Sequence, residues 1–548
     1  MKQLKAKELV EGALGKKAYR SLRTQGIKVE RKVGKIRSSV VQRTANRGVD
    51  LDPELGIVRD GIVWTTVENC NLSEAIEANF RLLTESLDRA AIEWWLISME
   101  PAHPPVIGVD RQNRAELIRV ISNDFVAAPV YLNVRDGSVL LRHVSKVAKS
   151  NEFAEADILE FLEPRLVGSR QMPMARNSAT QIEFWEIDET GGATAPRENR
   201  AAKVLSATDF ERVTTTAGNF EVRTPKVLTK RMLDDVTFPI DAVYTWVDGD
   251  DPDWLASKRK FDPTVVGGGY HEEANHEARF RSRDELKYSL RSLEMYAPWF
   301  RKIFIVTAGQ RPSWLATDHP QIEIIDHQDI YPEGEYLPTF NSNSIISRLH
   351  HIEGLSEHYV YINDDVFFGR PISKDKFFLG NGIAKVSTSN NRRPFGDPNV
   401  ADEPHLNLTR NMRQIIDDEF GITISRAIKH TPHPQLKSVH FEMEEKFKEV
   451  YERTWASRFR HHEDIVADQL HHYYAQVIGR AVPTMLRYNY INILDDRYVG
   501  TMESTLRRRH RDTFCINDAP VEGARPIDDE FVTEFLESYF PSKSSFEK

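Results

Sequence analysis

Cysteine is almost missing: Cys70 and Cys515 are the only two in 548 residues, and they lie far apart. That excludes a disulfide framework and a cysteine zinc site, and it suits a reducing compartment. No apolar run approaches the roughly 20 residues that span a bilayer. The longest, such as "AAIEWWLIS", have the length of a strand. The first stretch, "MKQLKAKELVEGALGKKAYR", lacks the apolar centre of a secretory signal, so the expected location is cytoplasmic. An overall basic excess is missing too. The formal net charge of -9 argues against a dedicated nucleic-acid binder.

What is present falls into three parts, as expected for a chain too long for one core. Residues 1–50 form a basic segment rich in Lys and Arg. It reads either as a solvated charged tail or as a peripheral tether to anionic lipid at the inner membrane face. Residues 55–235 read as a smaller accessory α/β domain. "NLSEAIEANFRLLTESLDRAAI" puts Leu72, Ala75, Ile76, Phe80, Leu83 and Leu87 at helical spacing, while "EWWLIS", "APVYLNVRD" and "TQIEFWEID" read as strands. "DETGGATAPRENR" reads as loop or linker, and no catalytic constellation is visible in this part.

From residue 236 to 535 short β-branched runs alternate with helical patterns. "IDAVYTWV", "RKIFIVTAG", "QIEIIDHQDI" and "YVYINDD" are strands; "RDELKYSLRSLEMYA" and "SNSIISRLHHIEGL" are helices. This alternation predicts an α/β fold with a mostly parallel sheet and helices on both faces. Ligands then sit beyond the carboxyl ends of the strands, which places Asp248, Ala308-Gly309-Gln310 and Asn363-Asp364-Asp365 on one rim.

Adjacent carboxylates at a strand end are oxygen ligands suited to Mg²⁺ or Mn²⁺; the competing reading is a turn in which Asn363 and Asp364 cap the backbone. Arg279, Arg281 and Arg283, before a helix start, form either a solvated charged face or a phosphate clamp. "RFRHHEDIVADQLHHYYA" has four histidines, but their spacing matches no zinc signature. Read as a helix, it puts Arg460, Asp464 and Asp468 on one face. His430, in a Pro-bounded loop, is a candidate general base or an ordinary surface histidine.

The stretches "IDAVYTWVDGDDP", "RFRSRDELKYSLRSLEMYAPWFRKIFIVTAGQRPSWL", "PTFNSNSIISRLHHIEGLSEHYVYINDDVFFG", "HTPHPQL" with "FRHHEDIVADQ", and "CINDA" occur in that order. They resemble the four conserved regions of the Stealth family, over roughly residues 236–520. That family includes bacterial capsular and exopolysaccharide phosphotransferases and the catalytic subunit of animal N-acetylglucosamine-1-phosphotransferase. The resemblance implies transfer of a hexose 1-phosphate from a nucleotide sugar, UDP-linked by expectation, to a polysaccharide hydroxyl. A phosphodiester forms and a nucleoside monophosphate leaves. It also implies roles: Asp241, Tyr244, Trp246, Asp248, Arg279 and Glu285 at the donor; Asp364, Asp365 and Asp518 at a metal, with Asn517 beside them. His430 would be general base, and Arg460 would hold the phosphoryl group, so Asp364, Asp365, His430 and Arg460 form the catalytic set. The intervening modules of the animal members are lacking, which favours a glycan acceptor.

Two other readings stay open on residues alone. A metal-dependent glycosyltransferase would share the fold and the acidic motif but attack the anomeric carbon. A catalytically silent glycan- or nucleotide-binding protein would need neither His430 nor Arg460. The segment 391–421 is the expected place for acceptor recognition.

Overall fold

The computed structural model describes residues 39–135, 140–148, 150–262, 280, 282–332, 334, 336–399, 402, 404–519 and 527–548. Arg279 and Arg281, and most of the basic segment, lie outside the described residues.

The centre of the fold is a five-stranded sheet in the order Ile322–Asp326, Ile303–Thr307, Ile240–Thr245, His358–Asn363, His433–Leu436. The first four strands run parallel, and His433–Leu436 closes one edge antiparallel. The strands are almost unbroken apolar runs because both faces are covered. Tyr244 points to one face, where its hydroxyl meets Ser289 on the helix Glu285–Tyr296 at 3.1 Å. Thr245 points to the other, beside Tyr361, which lines a cleft together with Asp468 of the helix Ala467–Val477. Each fully buried aliphatic side chain of these strands, such as Ile240 or Val243, contributes about 1.5–3 kcal/mol. The sequence thus yields the α/β architecture it predicts.

Two small sheets extend this centre. After Asp365 the chain continues as Val366–Phe368, which pairs antiparallel with Thr513–Asn517; that strand in turn runs parallel to Tyr488–Asn492. The pairing of Val366 with Cys515, and the bond from Ile516 N–H to the Asp365 carbonyl, bring Asn517 and Asp518 beside the acidic pair. The other small sheet joins Arg426–Ile428, Ala384–Arg392 and Ala481–Thr484.

The region before residue 236 is α/β as well. An eight-stranded mixed sheet contains Trp94–Ser98, Tyr131–Val134 and Thr180–Ile187. The helix Leu72–Arg89 begins with a capping box between Asn71 and Glu74. Three apolar clusters belong to this region alone. Leu72, Ile76, Val167 and Met172, however, join the main core of the central sheet. The supposed linker 188–200 is built in: Ala193–Thr194 pairs with Thr180–Ile187, and Arg197 clamps the buried Glu183 and Gln181. Residues 39–46 dock on the same region, with Asn46 exchanging bonds with Leu141 and His143.

Candidate active site

At the carboxyl ends of the parallel strands lies a cleft of about 620 Å³. Asp364, Asp365, His430, Arg460, Glu285 and Asp518 line it together, although they come from sequence stretches more than two hundred residues apart. His430 Nε2 faces Asp365 Oδ1 at 3.1 Å, and Asn517 Nδ2 donates to Asp365 Oδ2 at 3.3 Å. Tyr490, exposed at the mouth, donates to Asn517 Oδ1 at 2.9 Å. Sequence reasoning passed over this tyrosine; its signal is the alternation of "YNYIN", residues 488–492, at whose centre it stands.

The cleft is crowded with negative charge. Desolvation, then Glu285 and Asp365, push the Asp364 carboxyl well above the usual range. Burial also raises Glu285, against the bond it accepts from the Arg283 backbone. For His430 desolvation opposes the charged form, but the Asp365 carboxylate outweighs it and the imidazole is raised. Arg283 supplies the compensating cation, 3.5 Å from Glu285, 3.4 Å from Asp518 and 2.7 Å from Asp529. Asp284 adopts a left-handed conformation, φ 60°, and turns the chain so that Arg283 and Glu285 flank the cleft.

An all-oxygen set of Asp364, Asp365 and Asp518 has the donor chemistry for a hard divalent cation, whose charge would relieve the crowding. Their ligand atoms do not converge as they stand. Among the described residues, the His, Cys, Asp and Glu triads whose ligand atoms fall within 4.8 Å are His350/His351/Glu444 and His461/His462/Glu463.

Arg460 sits between this cleft and a second recess of about 170 Å³. Its Nη2 donates to Ser342 Oγ at 2.7 Å. The recess is aromatic, lined by Trp246, Trp254, Phe280 and Phe340, and shares Asp364 and Arg460 with the cleft. His327 closes one wall, and burial lowers its imidazole to about 4, so it stays neutral.

Arg460 and Asp464 are not helical, contrary to the reading of one helix face through Asp468. The helix begins at Ala467, and residues 457–466 form a stitched loop. Asn341 Nδ2 donates to the carbonyls of Ser457 and Phe459 and, at 2.8 Å, to Asp464 Oδ2. Asn411 Nδ2 holds the carbonyls of His462 and Asp464. Asp468 instead pairs with His433 at 2.5 Å. Similarly "SNSIISRLHHIEGL" is a short helix, Ser342–Ile346, followed by the single turn Leu349–His351.

Three expected donor residues lie off the cleft. Asp241 is the second residue of its strand, so it lies at the opposite end from the cleft, fully buried. Its carboxylate accepts from Arg301 Nε and Nη2 at 2.8 and 2.6 Å and from the backbone of Lys302 and Ser356. Tyr244 is buried beneath the rim against Ser289. Asp248 meets Gln310 as the rim argument expects, through a reciprocal pair of bonds at 3.0 and 2.9 Å, but it faces an outer groove. Gly309, with φ +74°, makes the turn that presents Gln310.

Family models for the Stealth conserved regions match along this framework: region 1 at 238–265, region 2 at 279–386, region 3 at 429–476 and region 4 at 504–548. A relative named exopolysaccharide phosphotransferase SCO6023, from Streptomyces coelicolor, is 36% identical over 89% of this chain and 85% of its own. The chain belongs to the Stealth family. Another relative, named exopolysaccharide phosphotransferase CpsY, from Mycobacterium tuberculosis, is 34% identical over 90% of this chain and 92% of its own. Both alignments extend well beyond the Stealth regions, so they include the part before residue 236. Among solved structures, the galactosyltransferase LgtC is similar over 54% of this chain and 95% of its own. Its identity is 13% and its TM-score 0.28, and a likeness that slight carries no argument.

Proposed function

We propose that this Stealth protein is a sugar-1-phosphate transferase that moves a hexose 1-phosphate from a nucleotide sugar to a glycan hydroxyl. The observation that carries the reading is the meeting of His430, Asp365 and Arg460 on one cleft beside an aromatic recess. The names of the relatives support the choice of exopolysaccharide as acceptor class.

In this reading the nucleobase occupies the recess, against Trp246 and Phe340, and the sugar-linked phosphate lies near Arg460. His430 Nε2–H facing the Asp365 carboxylate leaves the lone pair on Nδ1, which takes the proton from the acceptor hydroxyl. The acceptor oxygen bonds to the phosphorus next to the sugar, and the bond to the nucleoside monophosphate breaks. Arg460 stabilises charge on the phosphoryl oxygens, and the anomeric carbon is untouched. Asp364, Asp365 and Asp518 would hold Mg²⁺ or Mn²⁺ with their carboxylates turned to one point. Such an ion, when bound, supplies charge neutralisation on the donor phosphates. Trp246 and Glu285 serve the donor side of the cleft.

We also propose that residues 55–235 act as an accessory domain to a catalytic domain at 236–535, and that the basic start contacts anionic lipid from the inner membrane face. No helix among the described residues is long and apolar enough to cross a membrane.

The test follows the phosphorus. With a nucleotide sugar, Mg²⁺ and a polysaccharide acceptor, ³¹P NMR should show a phosphodiester on the glycan. His430→Ala should slow its appearance by about 10²–10⁴-fold, the usual worth of a general base. A glycan product free of phosphorus would reject the proposal in favour of glycosyl transfer.

A further inference from the structure

His350 and His351 take no part in the transfer reaction, yet both imidazoles turn to one carboxylate. They sit on the turn Leu349–His351, and Glu444 on the helix Lys437–Lys446. His350 Nε2 lies 2.6 Å and His351 Nε2 2.9 Å from the same oxygen, Glu444 Oε2. His350 is fully buried; its Nε2 is held against the Glu444 carboxylate, while its Nδ1 has no hydrogen-bond partner. Two imidazole nitrogens and one carboxylate oxygen are thereby gathered within 4.8 Å of one another.

The surroundings hold these donors in place. His350 stacks on His440 at 5.4 Å, and Phe441 sets its ring edge-on against both His350 and His351. Arg348 Nη1 donates to the other carboxylate oxygen, Glu444 Oε1, at 3.1 Å. The guanidinium is itself fixed by the Ile330 carbonyl and lies over the Trp455 ring. Glu444 is thus divided, one oxygen given to Arg348 and one turned to the imidazoles. His351 and Glu444 are only partly covered, so an ion can enter from solvent.

We infer that His350, His351 and Glu444 form a binding site for a divalent metal of the zinc class, which pins the turn to the helix. Two imidazole nitrogens and one carboxylate oxygen make a zinc donor set with a fourth position open to water. Mg²⁺ and Ca²⁺ require oxygen ligands, and Arg348 takes up part of the only carboxylate charge, so hard cations find little here. Zinc bonds of about 2.0–2.2 Å place neighbouring donors about 3.3 Å apart. The present spacing reaches that by small movements of His351 and Glu444. The turn follows directly on the helix Ser342–Ile346, whose Ser342 and Asn343 line the cleft. A metal here would therefore fix the far end of an active-site element.

The experiment is a zinc titration of the full chain, stripped with a chelator and kept in excess Mg²⁺, against a chromophoric zinc indicator. One equivalent should be taken up, with a rise in Tm. His351→Ala, which removes a partly exposed ring, should weaken uptake by more than about tenfold, and Glu444→Gln should do the same. Asp365→Asn, in the cleft, and His462→Ala, in the other histidine cluster, should leave uptake unchanged. Folding of each variant is checked by its Tm without metal. No uptake by the unsubstituted chain overturns the inference; so does uptake that survives His351→Ala or is lost in His462→Ala.

Discussion

Asp241 shows how a motif residue can serve the fold rather than the ligand. Its carboxylate collects four bonds at the amino end of the central strand, two from Arg301 and two from backbone N–H groups. Asp241→Ala would leave the N–H groups of Lys302 and Ser356 without an acceptor, while the partly exposed Arg301 rehydrates. The expected loss is about 3 kcal/mol of stability in denaturant unfolding, with the donor KM of the folded fraction unchanged. A raised donor KM at unchanged stability would return Asp241 to the donor site. The sequence carried the signal for this outcome. Asp241 lies near the start of the strand that Asp248 follows, and the rule that ligands bind at carboxyl ends points away from it. Tyr244 is similar: alternation along the strand turns it to the helix side, not to the rim. The acidic pair, by contrast, was legible because an apolar strand runs straight into Asn363-Asp364-Asp365.

At the scale of elements, strands were easier to read than the loop that carries Arg460. The spacing of Arg460, Asp464 and Asp468 imitates a helical face. Asp464, however, spends its carboxylate on the backbone N–H of His461, three residues back, at 2.9 Å, and on Asn341. A short acidic side chain that binds the local backbone competes with helix formation, and here the loop wins. Burial pushes the Asp464 carboxyl up to about 7, against those two donors. The sign follows from linkage. The unfolded chain releases this proton near 4, and the folded chain keeps it until about 7, so the folded state binds more protons between those values. Stability therefore falls as pH rises through that window, by up to about 1.4 kcal/mol per pH unit, and then levels off. Asp464→Asn keeps an acceptor for Asn341 and His461, and should flatten that slope. An unchanged slope in the variant would assign the pH dependence to other groups. Long-range closures such as Arg283 with Asp518 had no local signal at all, because the small sheet joining Val366–Phe368 to Thr513–Asn517 creates them.

At the scale of the whole molecule, the last helix and the residues after it are tied to the region before residue 236. The Ser542 hydroxyl donates to the Cys70 carbonyl at 2.7 Å, and Arg170 pairs with Glu534 at 3.3 Å. The sequence reading separated residues 55–235 from 236–535 but did not show this shared core, since no periodicity records which faces meet. The docking of residues 39–46 also sets where a tether can begin. Removing residues 1–38 should weaken binding to anionic vesicles, on the order of 1 kcal/mol for each basic residue near the surface, and leave turnover in solution intact. Equal vesicle binding by the shortened chain would remove the tether. The central claim concerns which bond breaks in the donor, and the nucleotide released on turnover with Mg²⁺ and a polysaccharide acceptor tests it most directly. Nucleoside monophosphate in step with product is the predicted result. Nucleoside diphosphate would contradict the account, and would give Asp364, Asp365 and Arg460 to a glycosyl transfer at the anomeric carbon.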